Sequence, residues 1–259
     1  MAGFGGIYDV VDAELDGAVK FSTWRKQPTQ VTASGFWFDL SMSPGNPVPQ
    51  YYAASPGVSV AMRQSTDGGI FHGGAVSPAK KVVRELMAMT VTATAVPMPM
   101  ILCDYLLYYP FIDESTTDEQ TLTTIVTLPR YTDGAGVQMM AIAVAAQTGG
   151  QQFFVTYTNS AGVAGRISKT VTMSTQSVNG TVVTTAITNS GGPFIGLQNG
   201  DTGVRSIESV TMLGIDVGLF TLVLVKPLCQ MSIRGIDAPV EIDLLKDFSQ
   251  CPQVQDDAY

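Results

Sequence analysis

Turns set the rhythm of this chain. Between Gln138 and Leu228 a turn signal returns about every ten residues, and the stretches between are rich in Val, Thr, Ile, Phe and Tyr. β-Branched and aromatic side chains pack well on a pleated surface, and β-branched ones lose rotamer freedom in a helix. Short strands at such spacing are the pattern of a β-sandwich or jelly roll. In "QFFVTYTNSAGVAGRISKTVTMST", Phe154 and Thr156 fall on one strand face and Val155 and Tyr157 on the other. "NSAG" supplies a turn, and Ile167, Lys169, Val171 and Met173 line one side of the return. Asn179-Gly180 is the strongest short hairpin signal in the chain. The run "LFTLVLV", between Gly218 and Pro227, has no polar face and predicts a strand buried on both sides. "ILCDYLLYY" is a further strand, reached through an extended "PMPM" connection. The fold class is therefore mainly β.

One segment breaks the β pattern. "SPAKKVVRELMAM" predicts a short helix over 78–89, with Ser77 as N-cap and Pro78 at the first helical position. Val82, Val83, Leu86 and Met89 would form its apolar stripe.

Residues 1–50 differ in composition. They hold both tryptophans and a proline-rich stretch containing Pro44, Pro47 and Pro49. Pro cannot donate to a central ladder. This stretch reads either as an extended arm lying on a neighbouring molecule or as a loop covering the protein's own core. Residues 51–130 would form a first β lobe with the short helix. Residues 131–259 would form a second, jelly-roll-like lobe ending in a loose polar tail. The divide falls near Leu128–Asp133, and a single domain is the alternative.

Charge narrows the function classes. Only 14% of residues are charged, and the formal net charge is −8. Phosphate binding needs clustered Lys and Arg, so nucleic acid is not the expected partner. A neutral polar surface costs little to desolvate and suits contact with other protein. The N-terminus lacks the pattern of a signal peptide, and no stretch is apolar enough for a membrane span, so synthesis and folding in a cytoplasm are expected. Cys103, Cys229 and Cys251 are odd in number and form no CxxC pair, which predicts reduced thiols without a disulfide or zinc framework.

Each candidate chemistry has a plainer reading beside it. The acidic burst "DESTTDEQ" holds Asp113, Glu114, Asp118 and Glu119 in two pairs with no intervening glycine. It fails the EF-hand pattern, and a solvated loop is the expected state. His72 is the chain's one histidine, and GxSxG is absent, so a structural or exposed His is expected rather than a triad base. No glycine run matches a nucleotide-binding loop. No enzyme activity, cofactor or metal is expected. Tyr105, Tyr108, Tyr109 and Phe111 are candidates for a mixed role as core and interface anchors, with Tyr105, Leu107 and Tyr109 on one strand face.

The segments "LLYYPFIDESTTDEQTLTTIVTLPRYTDGAGVQMMAI" and "GPFIGLQNGDTGVRSIESVTMLGIDVGLFTLVLVKPL" resemble a class of virion structural proteins of tailed bacteriophages. The resemblance spans Tyr105 to Leu228, about half the chain. It implies a component of the particle's head and carries no catalytic signature. A phage shell fold combines a long helix with a β-rich arm, so one short helix favours a decoration or cement protein over the shell protein. The expected partners are other copies of the chain, as a trimer, and the capsid shell. A carbohydrate-binding module on the phage surface is the competing class.

Overall fold

The computed structural model describes residues 6–28, 35–91, 96–175, 178–184, 190–247 and 251–259. Two antiparallel sheets dominate it. The first has the strand order Val60–Ala61, Met98–Asp113, Leu219–Ile233, Gln138–Ala143. The second runs Arg166–Ile167, Gln152–Asn159, Val204–Met212, Gln120–Thr121, with Val171–Thr172 also paired to Gln152–Asn159. The mainly β reading holds, and so does the antiparallel hairpin over Gln152–Thr175, but the return does not keep one face: the register shifts by one between Arg166–Ile167 and Val171–Thr172, and Ile167 is exposed while Val171 and Met173 are buried.

Alternation explains how the sheets pack. Phe153, Val155 and Tyr157 of the second sheet join Phe220, Leu222 and Leu224 of the first in one buried cluster. Val223 and Val225, on the opposite face of the same strand, join a second cluster with Tyr52, Met62, Tyr108, Met140 and Ile142. Trp37, Met42 and Tyr259 cover that second cluster. The first sheet is thus a middle layer, which is why "LFTLVLV" carries no polar face. Burying each such Phe, Leu or Val side chain contributes about 1.5–3 kcal/mol.

The expected sequence lobes do not correspond to the sheets. Met98–Asp113 pairs with Leu219–Ile233, and Gln120–Thr121 pairs with Val204–Met212. Both sheets therefore join strands from either side of Leu128–Asp133.

The helix expected over 78–89 is absent. Lys81–Val82 pairs with Gln253–Val254, and Glu85–Ala88 pairs with Val240–Asp243. Leu86 and Ala88 turn inward while Glu85 and Met87 turn outward, a period of two. The pairing partner and the apolar cluster around Met231 and Ile233 select strand over the local helical stripe. The longest helix among the described residues is Ile7–Leu15, where the Asp9 carboxylate accepts from the Gly6 N–H at 3.2 Å.

The tail is also ordered differently from expectation. Gln253–Val254 forms a strand, and Cys251 and Ala258 are buried. The Tyr105 N–H donates to the Tyr259 carbonyl at 3.0 Å, and the two rings meet edge to face at 5.9 Å.

Candidate functional site

A strand bulge decides where the tyrosines point. In the pairing with Leu219–Ile233, Leu224 faces Leu107 but Val225 faces Tyr105, so Leu106 is an extra residue. An extra residue reverses the alternation of faces. Tyr109 and Leu107 lie between the sheets, whereas Tyr105 packs with Tyr108 on the opposite side. The expected common face of Tyr105, Leu107 and Tyr109 is thereby corrected.

The hydroxyls of Tyr105, Tyr109 and the neighbouring Tyr52 have internal partners. Tyr105 donates to Asp39 Oδ1 at 2.8 Å, and Tyr52 donates to Asp39 Oδ2 at 2.6 Å. Burial raises both phenols well above their ordinary range, with the Asp39 charge adding to it. Tyr109 shares a hydrogen bond with Thr124 at 2.9 Å and accepts from the Ile207 N–H. Tyr108 and Tyr109 are buried side chains, so neither is a surface anchor. Phe111 is partly exposed at a positive φ of 60°, beside a second register shift.

Pro44 and Pro47 fold onto their own chain, and Pro49 is partly buried. Gly45–Asn46 pairs with Arg25–Lys26, and the Gln27 N–H donates to the Pro44 carbonyl at 2.9 Å. Lys26 Nζ donates to the carbonyls of Ser43 and Pro47 at 3.1 and 2.6 Å. Of the two readings of this stretch, the covering loop matches this geometry.

The acidic burst divides into two environments. Asp118 is exposed, and Glu119 accepts from Ser209 Oγ at 2.6 Å. Asp113 accepts from the Ser115 hydroxyl and N–H, which lower its pKa. Glu114 departs from the solvated-loop expectation: it is 0% exposed, and neither carboxylate oxygen has a hydrogen-bond partner. Its main chain explains the burial. The Asp216 N–H donates to the Glu114 carbonyl at 2.7 Å, and the Glu114 N–H donates to the Gly218 carbonyl at 3.3 Å. Burial, then the charges of Asp216 and Asp113, push the Glu114 carboxyl up to about 8.

His72 is structural. Its ring bridges the Ala258 carbonyl at 2.9 Å and Lys81 Nζ at 3.0 Å. Lys81 in turn pairs with Asp256 at 3.1 Å. Cys103, Cys229 and Cys251 are unpaired thiols, and burial raises the pKa of each. Among the described residues, no group of three or more His, Cys, Asp or Glu side chains is placed to hold a metal ion.

Sequence reasoning missed an exposed apolar surface near the start of the chain. The helix Ile7–Leu15 buries Val10 but leaves Ile7, Tyr8, Val11 and Leu15 exposed, Leu15 at 80%. Phe21, a few residues on, is 94% exposed. The signal was present in "IYDVVDAEL", where Ile7, Val10, Val11 and Leu15 recur at helical spacing. No helix among the described residues is long and apolar enough to cross a membrane.

No protein-family model matches the chain, and no curated protein or solved structure is significantly similar to it.

Proposed function

We propose that this protein is a structural component of a tailed-phage virion, a decoration or cement protein that stabilises the head through protein–protein contacts. The observation that carries the reading is the exposed apolar face of Ile7, Tyr8, Val11 and Leu15, with Phe21 beyond it. A monomer gains nothing by leaving five large apolar side chains in water, whereas contact with a second protein buries them.

The remaining surface chemistry agrees with that use. Low charge density lowers the cost of desolvating a contact, and net negative charge suits a face turned away from packaged DNA. In this reading the chain assembles as a trimer, and the trimer sits on the shell at a local three-fold position. Several weak contacts then act together, so the attached complex is tight although each contact is not.

The interface differs from the one expected at Tyr105–Phe111. It is the N-terminal helix and the segment after it that make contact with other copies or the shell. The test is quantitative mass spectrometry of purified phage particles bearing this gene. A copy number in the range of the shell protein's three-fold positions supports decoration. A few copies per particle, or tail-fraction enrichment, contradicts it and favours the carbohydrate-binding alternative.

A further inference from the structure

The turn between the strands Val204–Met212 and Leu219–Ile233 is anchored at its two ends and at its middle. At one end the Leu213 N–H donates to the Gln152 carbonyl at 2.7 Å. At the other, the Leu219 carbonyl accepts from the Val144 and Ala145 N–H groups at 2.9 and 3.1 Å. Between them, the Asp216 N–H donates to the Glu114 carbonyl at 2.7 Å, and the Glu114 N–H donates to the Gly218 carbonyl at 3.3 Å. The middle of the turn thus rests on one residue, and the side chain of that residue is a buried acid.

An ionised carboxylate suits that position badly. Neither Glu114 oxygen has a hydrogen-bond partner. The space beside Oε2 is filled: a Cβ built on Gly218 would lie 2.9 Å from Glu114 Oε2, from the Ala146 carbonyl oxygen and from Gln147 Cβ alike. That packing leaves no room at this spot for a compensating water or ion. The charged groups that act on Glu114 are Asp216 from the turn and Asp113 from its own strand, both acids. The third segment against it, residues 145–147, carries no ionisable side chain. A buried carboxyl without a donor, among like charges, is favoured in its protonated form.

We propose that residues 214–218 form a proton-dependent latch, closed on Glu114 while its carboxyl is protonated and opened when that proton passes to solvent. The carboxylate then reaches water only by lifting the turn. Ile215 and Val217, 65% and 69% exposed, ride on the moving part, so pH would change how this apolar tip is displayed. The latch does not depend on the proposed virion function.

The direction of the effect follows from the two states. In the open turn Glu114 titrates near the ordinary value, about 4.3. In the closed turn it titrates at about 8. A carboxyl raised in the closed state favours closure below the open-state value, and the advantage is lost as pH rises through the closed-state value. The opening equilibrium should therefore grow about tenfold per pH unit up to about pH 8 and level off above it.

The test is amide hydrogen exchange on the full chain, read at the Asp216 and Glu114 N–H groups and corrected for the intrinsic rate. Between about pH 6 and about pH 8 their protection is expected to fall about a hundredfold. The Leu222–Val225 amides of the buried strand are expected to stay protected. Glu114→Gln cannot ionise and is expected to abolish the pH dependence. Asp216→Asn removes one like charge, so its levelling point is expected at lower pH than in wild type. Asp118→Asn changes an exposed acid of the same run and is expected to keep the wild-type profile. If Glu114→Gln fails to fold, the wild-type profile and the Asp216→Asn displacement still decide. Wild-type protection that does not vary with pH overturns the proposal. So does a wild-type slope that survives in Glu114→Gln, or a loss of protection shared equally by Leu222–Val225, which would make the event global unfolding.

Discussion

Arg130 holds both carboxylate oxygens of Asp104, Nε at 2.9 Å from Oδ2 and Nη2 at 2.7 Å from Oδ1, with both side chains buried. The same Nη2 reaches the carbonyls of Met62 and Tyr105, at 3.1 and 2.8 Å. Asp104 also accepts from the Tyr259 N–H at 3.2 Å. One guanidinium thus joins the Met98–Asp113 strand, the Met62 segment and, through Asp104, the chain end. Burial raises the Asp104 carboxyl despite the opposing effect of Arg130. Removing Arg130 alone leaves that acid buried without its charge partner. Arg130→Met is expected to cost about 3–5 kcal/mol in urea unfolding. Adding Asp104→Asn to it should recover part of that loss. A cost below about 1 kcal/mol, the scale of an exposed pair, would show that water reaches the site.

The two sheets meet at Phe153 and Phe220, whose ring centroids lie 5.0 Å apart and whose side chains are fully buried. Phe220→Ala removes a ring from the middle of that cluster. The expected loss is about 3–5 kcal/mol by chemical denaturation, because transfer and cavity terms add. A loss near that of an exposed substitution would mean that the sheets do not face each other there.

Asp201 predicts an acid-dependent change. It accepts from Arg166 Nε at 3.0 Å, Tyr157 Oη at 2.6 Å and Asn159 Nδ2 at 2.7 Å. Arg166 is the largest of the causes that hold its carboxyl down at about 2. An unfolded Asp titrates at about 3.9. A carboxyl depressed in the folded state stabilises above its unfolded pKa, and the contribution is lost as pH falls through the folded value. Asp201→Asn should therefore be less stable than wild type at neutral pH. The gap should close between about pH 4 and about pH 2. Thermal melts across that range check it, and a gap that stays constant contradicts the assignment.

The strands that could be read from sequence are those whose side-chain pattern alone determines them. Phe153, Val155 and Tyr157 alternate with polar neighbours, and Leu219–Val225 has no polar face to present. Glu85–Ala88 was not legible, because Val82, Val83, Leu86 and Met89 fit a helical stripe and only the distant Val240–Asp243 decides otherwise. The extra Leu106 has no local signature, so the face of Tyr105 was misassigned. Glu114 lies in an acidic run that reads as solvated. What buries it is main-chain pairing to Asp216 and Gly218, far along the chain. The Ile7–Leu15 helix had the spacing to be found, but spacing alone does not show that Val10 is its one buried residue.

Cosedimentation with phage heads stripped of their decoration tests the central claim most directly. Wild-type protein is expected to pellet with the heads and to saturate at a fixed ratio to the shell protein. Ile7→Glu with Leu15→Glu places charge on two side chains that are already exposed, so folding and the melting temperature should be unchanged. That variant is expected to lose at least tenfold in apparent affinity, about 1.4 kcal/mol or more. Wild-type protein that stays in the supernatant at every concentration, or a variant that binds heads as well as wild type, would contradict the account.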